Sequence, residues 1–137
     1  MDKQYEILDH PADLKIKAFG KDLPEVFINL ALGLASQQLK DVESEKVIGQ
    51  YQKIIIQSDN LQSLLVDWLN EILYQGEINQ RVYLDFKILN FLETKIEAEM
   101  AGLRVEEKLI EIKAATYHDL EIKKADERLE AVVVFDI

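Results

Sequence analysis

The sequence predicts an α+β fold in one domain, with a mainly antiparallel or mixed β-sheet and two principal helices packed on one face. Three observations lead there. Two stretches, Leu23 to Gln38 and Leu61 to Leu73, repeat apolar residues at helical spacing. About seven or eight shorter runs alternate apolar and polar residues with a period of two. Several of those runs follow one another with no helix between them, which favours hairpins over parallel crossovers.

Taken in order, Tyr5-Glu6-Ile7-Leu8 is a short strand and Leu14 to Phe19 alternates as a half-buried one, ended by Gly20. Asp22-Leu23-Pro24-Glu25 then opens a helix: Asp caps, Pro fits the first turn and Glu three positions on completes a capping box. Its apolar face runs through Val26, Phe27, Leu30, Ala31 and Leu34. Lys40 to Gly49 is charged and reads as an exposed loop. Gln52 to Gln57 holds the β-branched run Ile54-Ile55-Ile56, long enough for a buried strand and too short for a helix. Ser58, Asp59 and Asn60 are alternative caps for the second helix, whose stripe is Leu61, Leu64, Leu65, Trp68, Leu69, Ile72 and Leu73, with Gly76 placed to stop it. Trp68 belongs to the core and its indole N–H needs one partner. Asp67, Asn70 and Glu71 fall on the opposite arc, facing solvent or a partner. Beyond Gly76 the alternation Val82, Leu84, Phe86, Ile88 and then Ile96, Ala98, Met100 predicts a hairpin turning near Asn90 and closed by Gly102. Leu109 to Ala114 is a further strand. Leu120 to Lys123 pairs with Leu129 to Phe135 across the charged turn Lys124 to Arg128.

The 137 residues suit one domain, 1–137, with room for a core that needs no staples. Cysteine is absent, which removes disulfides, thiolate metal sites and cysteine nucleophiles. The formal charge of −10 disfavours tight direct binding of nucleic acid and favours a basic protein partner or a bound cation. No apolar run approaches the roughly 20 residues of a membrane span. The lack of a signal-peptide pattern and the polar start Met1-Asp2-Lys3-Gln4 point to the cytoplasm. No P-loop, GxGxxG, GxSxG or HExxH pattern occurs, so the commonest nucleotide, hydrolase and zinc routes are closed.

Chemistry concentrates at two places that strands can bring together. Asp9-His10-Pro11-Ala12-Asp13 lies between two strand runs, and Asp136-Ile137 follows the apolar run Ala131 to Phe135. If those strands lie side by side, Asp13, Asp136 and the terminal carboxylate of Ile137 assemble hard oxygens suited to calcium or magnesium. The competing reading is that both aspartates only mark strand ends. In Ile110-Glu111-Ile112-Lys113-Ala114 the isoleucines share a face, leaving Lys113 beside Glu111 on the other, either next to the carboxylates or simply in solvent. Tyr117 and His118 follow at the rim.

Together these stretches resemble the archease family. The likeness rests on Asp9 to Asp13, on Leu23-Pro24-Glu25-Val26-Phe27, on Leu64 to Tyr74, on Ile112 to His118 and on Val133-Val134-Phe135-Asp136-Ile137, which keep the family's order over nearly the whole chain. The family's first motif has Thr at the position of Pro11, so no hydroxyl is available there. What the resemblance implies is an accessory protein of the RtcB-type tRNA-splicing RNA ligase, itself not an enzyme. It would promote guanylylation of the ligase's active-site histidine and multiple turnover. It also implies that Asp13, Asp136 and a main-chain or terminal oxygen of Ile137 bind a divalent metal ion, calcium first, with magnesium or manganese as alternatives. Lys113 would be an essential neighbour, with His10 and His118 as lesser rim residues. Two other classes stay open: a chaperone or modulator of tRNA-modifying enzymes such as a methyltransferase, and a metal-dependent hydrolase acting alone.

Overall fold

A computed structural model describes residues 3–9, 12–39 and 49–137. The loop expected from Lys40, up to residue 48, and His10 and Pro11 lie outside the described residues. The elements are β1 (Tyr5–Leu8), β2 (Leu14–Gly20), α1 (Leu23–Gln38), β3 (Gln52–Gln57), α2 (Leu61–Asn79), β4 (Arg81–Leu92), β5 (Lys95–Arg104), β6 (Ala114–Ala115), β7 (Glu121–Ala125) and β8 (Arg128–Asp136). All strand pairs among the described residues are antiparallel. They divide into two sheets: a five-stranded one ordered β1-β2-β8-β6, with β7 also on β8, and a three-stranded one ordered β3-β5-β4. Each helix packs on strands of both sheets, so one core serves the whole molecule.

Local chemistry sets the helix starts. The Asp22 carboxylate accepts the Glu25 N–H at 3.0 Å, and the Glu25 carboxylate turns back to the Lys21 N–H at 2.7 Å, one residue upstream of the usual capping-box partner. Of the three cap candidates for α2 it is Asn60 that accepts, from the Ser63 N–H at 2.8 Å. Trp68 is fully buried and its indole N–H donates to the Phe27 carbonyl at 2.9 Å.

Long-range packing changes four local expectations. Gly76 does not stop α2; the helix continues to Asn79 and is capped by Gln80 in the left-handed region, φ 53°. A Cβ on Gly76 would lie 2.8 Å from the Arg81 carbonyl oxygen, so the glycine admits the incoming β4. The β4–β5 turn is Glu93-Thr94, after the Leu92–Lys95 pair, and not near Asn90. Irregularities between Tyr83 and Asp85 and between Ile88 and Asn90 reset the alternation, so Val82 and Tyr83 are both buried. Gly102 does not close β5 but lies inside it, where a Cβ would stand 2.0 Å from the Val82 carbonyl oxygen. Of the expected strand Leu109 to Ala114, only Ala114 joins a ladder, as β6 with Ala115. Its partner β8 ends at Asp136, so the residues before Lys113 have no ladder to enter.

Gly76→Ala should therefore invert the usual rule. In an open helix interior the change stabilises by about 1 kcal/mol; here urea denaturation should show a loss of stability. An unchanged or raised midpoint would mean that β4 can retreat from the helix.

Candidate functional site

Strand register builds one end of the five-stranded sheet into a polar tip. Leu14 pairs with Phe135, both buried against the core, so Asp13 stands one position further on, level with Asp136. On the other side of β8, Ala114 pairs with Asp136, and the Lys113 N–H donates to the Asp136 carbonyl at 2.8 Å. Three segments remote in sequence thus finish side by side. Asp13 is half-buried, while Lys113, Asp136 and Ile137 are exposed. Ala12, just before Asp13, holds φ at 65°, a conformation that costs a non-glycine residue about 1 kcal/mol or more and turns the chain into β2.

Lys113 reaches the tip through its backbone. Among the described residues no carboxylate lies within ion-pair distance of its ammonium; the side chain borders an open cleft of about 400 Å³ with Glu111, Tyr74 and Glu77. His118 stands at the edge of β8. It follows Thr116, which bonds Val134 two residues inward of Asp136, and its Nε2 lies 3.4 Å from an Asp119 carboxylate oxygen in an exposed turn. His10 lies outside the described residues.

Two residues that hold the tip together carry no obvious sequence signal. Asn70, expected to face solvent or a partner, instead grips β6: its Oδ1 accepts the Ala115 N–H at 2.7 Å and its Nδ2 donates to the Ala115 carbonyl at 3.3 Å. Thr116 donates to the Val134 carbonyl through both its N–H, at 3.0 Å, and its Oγ1, at 2.8 Å. The one hint in the sequence is that asparagine in a helix interior competes with the helix unless its amide has work elsewhere. Asp67, by contrast, is exposed as expected and accepts from Ser58 Oγ at 2.5 Å.

The tip's donor chemistry fits a hard cation. Among the described residues no group of three His, Cys, Asp or Glu side chains converges. The residues that would hold such an ion are Asp13 and Asp136, through their carboxylates, and Ile137, through a main-chain or terminal oxygen, an all-oxygen set that suits calcium, magnesium or manganese and not zinc. Water would have to supply the remaining ligands.

Residues 5–137 match the Archease protein family (MTH1598/TM1083). The chain is 40% identical over 144 positions to the protein archease of Methanosarcina barkeri, with 98% of this chain and 97% of that one covered. It is 32% identical over 140 positions to the protein archease of Saccharolobus islandicus, covering 98% and 99%. In structure it is similar to Methanobacterium thermoautotrophicum protein 1598, with a TM-score of 0.77 and 28% identity over 97% of this chain and 98% of that one. It also shares the fold of a Thermotoga maritima archease described as a possible chaperone, with a TM-score of 0.70, 18% identity and coverage of 100% and 98%.

Proposed function

The chain belongs to the archease family, and from that membership we propose that it is an accessory protein of an RtcB-type tRNA-splicing ligase. In this role it promotes guanylylation of the ligase's active-site histidine and allows multiple turnover, without being an enzyme itself. The observation that supports this best is the convergence of Asp13, Asp136 and Lys113 on adjoining strand ends at one pole of the sheet. A divalent ion bound there would supply charge neutralisation for phosphates in nucleotidyl transfer.

The chain's own residues have distinct parts. Asp13 and Asp136 stand level with one another because β2 and β8 are registered behind them. Asn70 and Thr116 keep β6 against β8, which holds Lys113 at the tip. With no carboxylate partner among the described residues, the Lys113 ammonium is available to a phosphate or carboxylate of the partner. The net charge of −10 favours approach to a basic, RNA-binding ligase while disfavouring a hold on the RNA. Adding the wild-type protein to the matching ligase should raise multiple-turnover joining, and Lys113→Ala should reduce that gain by roughly tenfold. Full stimulation by Lys113→Ala would remove the lysine from the site.

A second reading is a chaperone or modulator of tRNA-modifying enzymes such as a methyltransferase. Two observations favour it: the description of the Thermotoga relative as a possible chaperone, and the exposed pair Tyr74 and Ile78, one turn apart on α2. Protection of several unrelated enzymes from aggregation, with no effect on the ligase, would put this reading first.

A further inference from the structure

We propose that the cleft at the opposite pole of the five-stranded sheet binds a protonated oxyanion of the hydrogen-phosphate type. The cleft, about 350 Å³ in volume, is lined by Lys3, Phe19, Lys21, Glu25, Asn29 and Arg128 among others. It opens where the pairs Phe19–Glu130 and Gly20–Leu129 end the β2–β8 ladder. β2 is 7 residues long, and at about 3.3 Å per residue the cleft is roughly 20 Å from the Asp13–Asp136 tip.

Unpaired cations are informative in so acidic a chain. Three described carboxylates near this cleft are already engaged: Glu6 with Lys3 at 2.8 Å, Glu130 with Lys17 at 3.3 Å, and Glu25 with the Lys21 backbone N–H at 2.7 Å. The Glu6 carboxyl is held below its usual range, chiefly by the hydrogen bond from Lys3, with Lys17 and Arg128 adding to the effect. Among the described residues, neither the Lys21 ammonium nor the Arg128 guanidinium has a carboxylate within ion-pair distance. Arg128 lies over the Phe19 ring, 3.9 Å from its centroid. That stacking fixes the guanidinium plane and leaves its N–H edges for an oxyanion.

Asn29 narrows the ligand class. It is only 6% exposed, and its Nδ2 donates to the Phe19 carbonyl at 2.7 Å. One amide N–H and the Oδ1 then have no protein partner among the described residues. A ligand that meets both must offer an acceptor and a donor together. Hydrogen phosphate does; sulfate offers acceptors alone.

The test is an NMR titration of the isotope-labelled full chain at about pH 7, where a phosphate retains part of its last proton. Inorganic phosphate, sulfate and adenosine monophosphate are added at constant ionic strength. Phosphate should give saturable shifts at the Asn29 side-chain amide and at the Phe19 to Lys21 backbone, with sulfate weaker by roughly tenfold. Lys21→Gln and Arg128→Gln should each weaken phosphate by roughly fivefold or more. Lys21→Gln leaves the Phe19 stack intact, so it reports on binding even if Arg128→Gln loosens the fold. Tighter binding of adenosine monophosphate than of phosphate assigns the ligand to a phosphomonoester; weaker or equal binding assigns free phosphate. No saturable shift at the cleft, or sulfate equal to phosphate, overturns the proposal.

Discussion

Asn70→Ala should free β6 from α2 and loosen the polar tip while the rest of the molecule stays folded. The side chain satisfies both the N–H and the carbonyl of Ala115, and leaving a buried backbone group unpaired costs about 1–3 kcal/mol. β6 is two residues long and has little else to hold it: two ladder positions on β8, the bond from the Lys113 N–H to the Asp136 carbonyl and the Thr116 bonds to Val134. The loss should therefore appear as local opening. Hydrogen exchange at the Lys113 and Ala115 amides should quicken by roughly tenfold or more, with amides of β4 and β5 unchanged. Asn70→Asp, which keeps the acceptor for the Ala115 N–H and loses the donor, should fall between wild type and Asn70→Ala. Unchanged exchange at both amides would show that β8 alone anchors the segment.

The largest global effect is expected from Trp68→Ala. The indole is fully buried, 6.3 Å from the Phe27 ring centroid and 5.9 Å from that of Phe86, and it joins α1, α2 and β4. Truncation removes that volume and leaves the Phe27 carbonyl without its indole donor. Changes of this kind cost about 3–5 kcal/mol, against a total stability of about 5–15 kcal/mol for a domain. Circular dichroism should show a much lower melting temperature; tryptophan fluorescence is of no use, because Trp68 is the only tryptophan. Trp68→Phe keeps most of the ring contact and should recover over half of the loss. Equal losses in the two variants would place the main contribution in the N–H bond instead of the packing.

Much of this fold is written in short-range patterns. Both helices were readable because Asp22 and Asn60 cap them and the apolar stripes run unbroken to the core. Most of what the short-range pattern hides depends on a distant strand. Gly76 and Gly102 read as stops, yet each makes room for the backbone of β4 at Arg81 or Val82. The turn lies beyond Asn90 because each irregularity adds one residue to β4, which makes that strand 12 residues long against 10 in β5. At the site, Asp13 and Asp136 were recognisable as carboxylates at strand ends. Their adjacency depends on Leu14 meeting Phe135 across nearly the whole chain, which no local pattern fixes. The family resemblance supplied that long-range information, and the match over residues 5–137 bears out the family. The role of Asn70 is not legible in the sequence because its bonds go to Ala115, 45 residues away.

Guanylylation of the matching ligase's histidine is the most direct test of the proposed role. It would be followed with labelled GTP and calcium, without this protein, with wild type and with Asp136→Asn. Asp136 is exposed and the substitution preserves its shape, so the variant should fold as wild type does. Wild type should speed guanylylation by roughly tenfold or more, and Asp136→Asn should lose most of that gain. Full stimulation by Asp136→Asn would remove the carboxylate tip from the mechanism. An active ligase indifferent to the wild-type protein would contradict the ligase role itself.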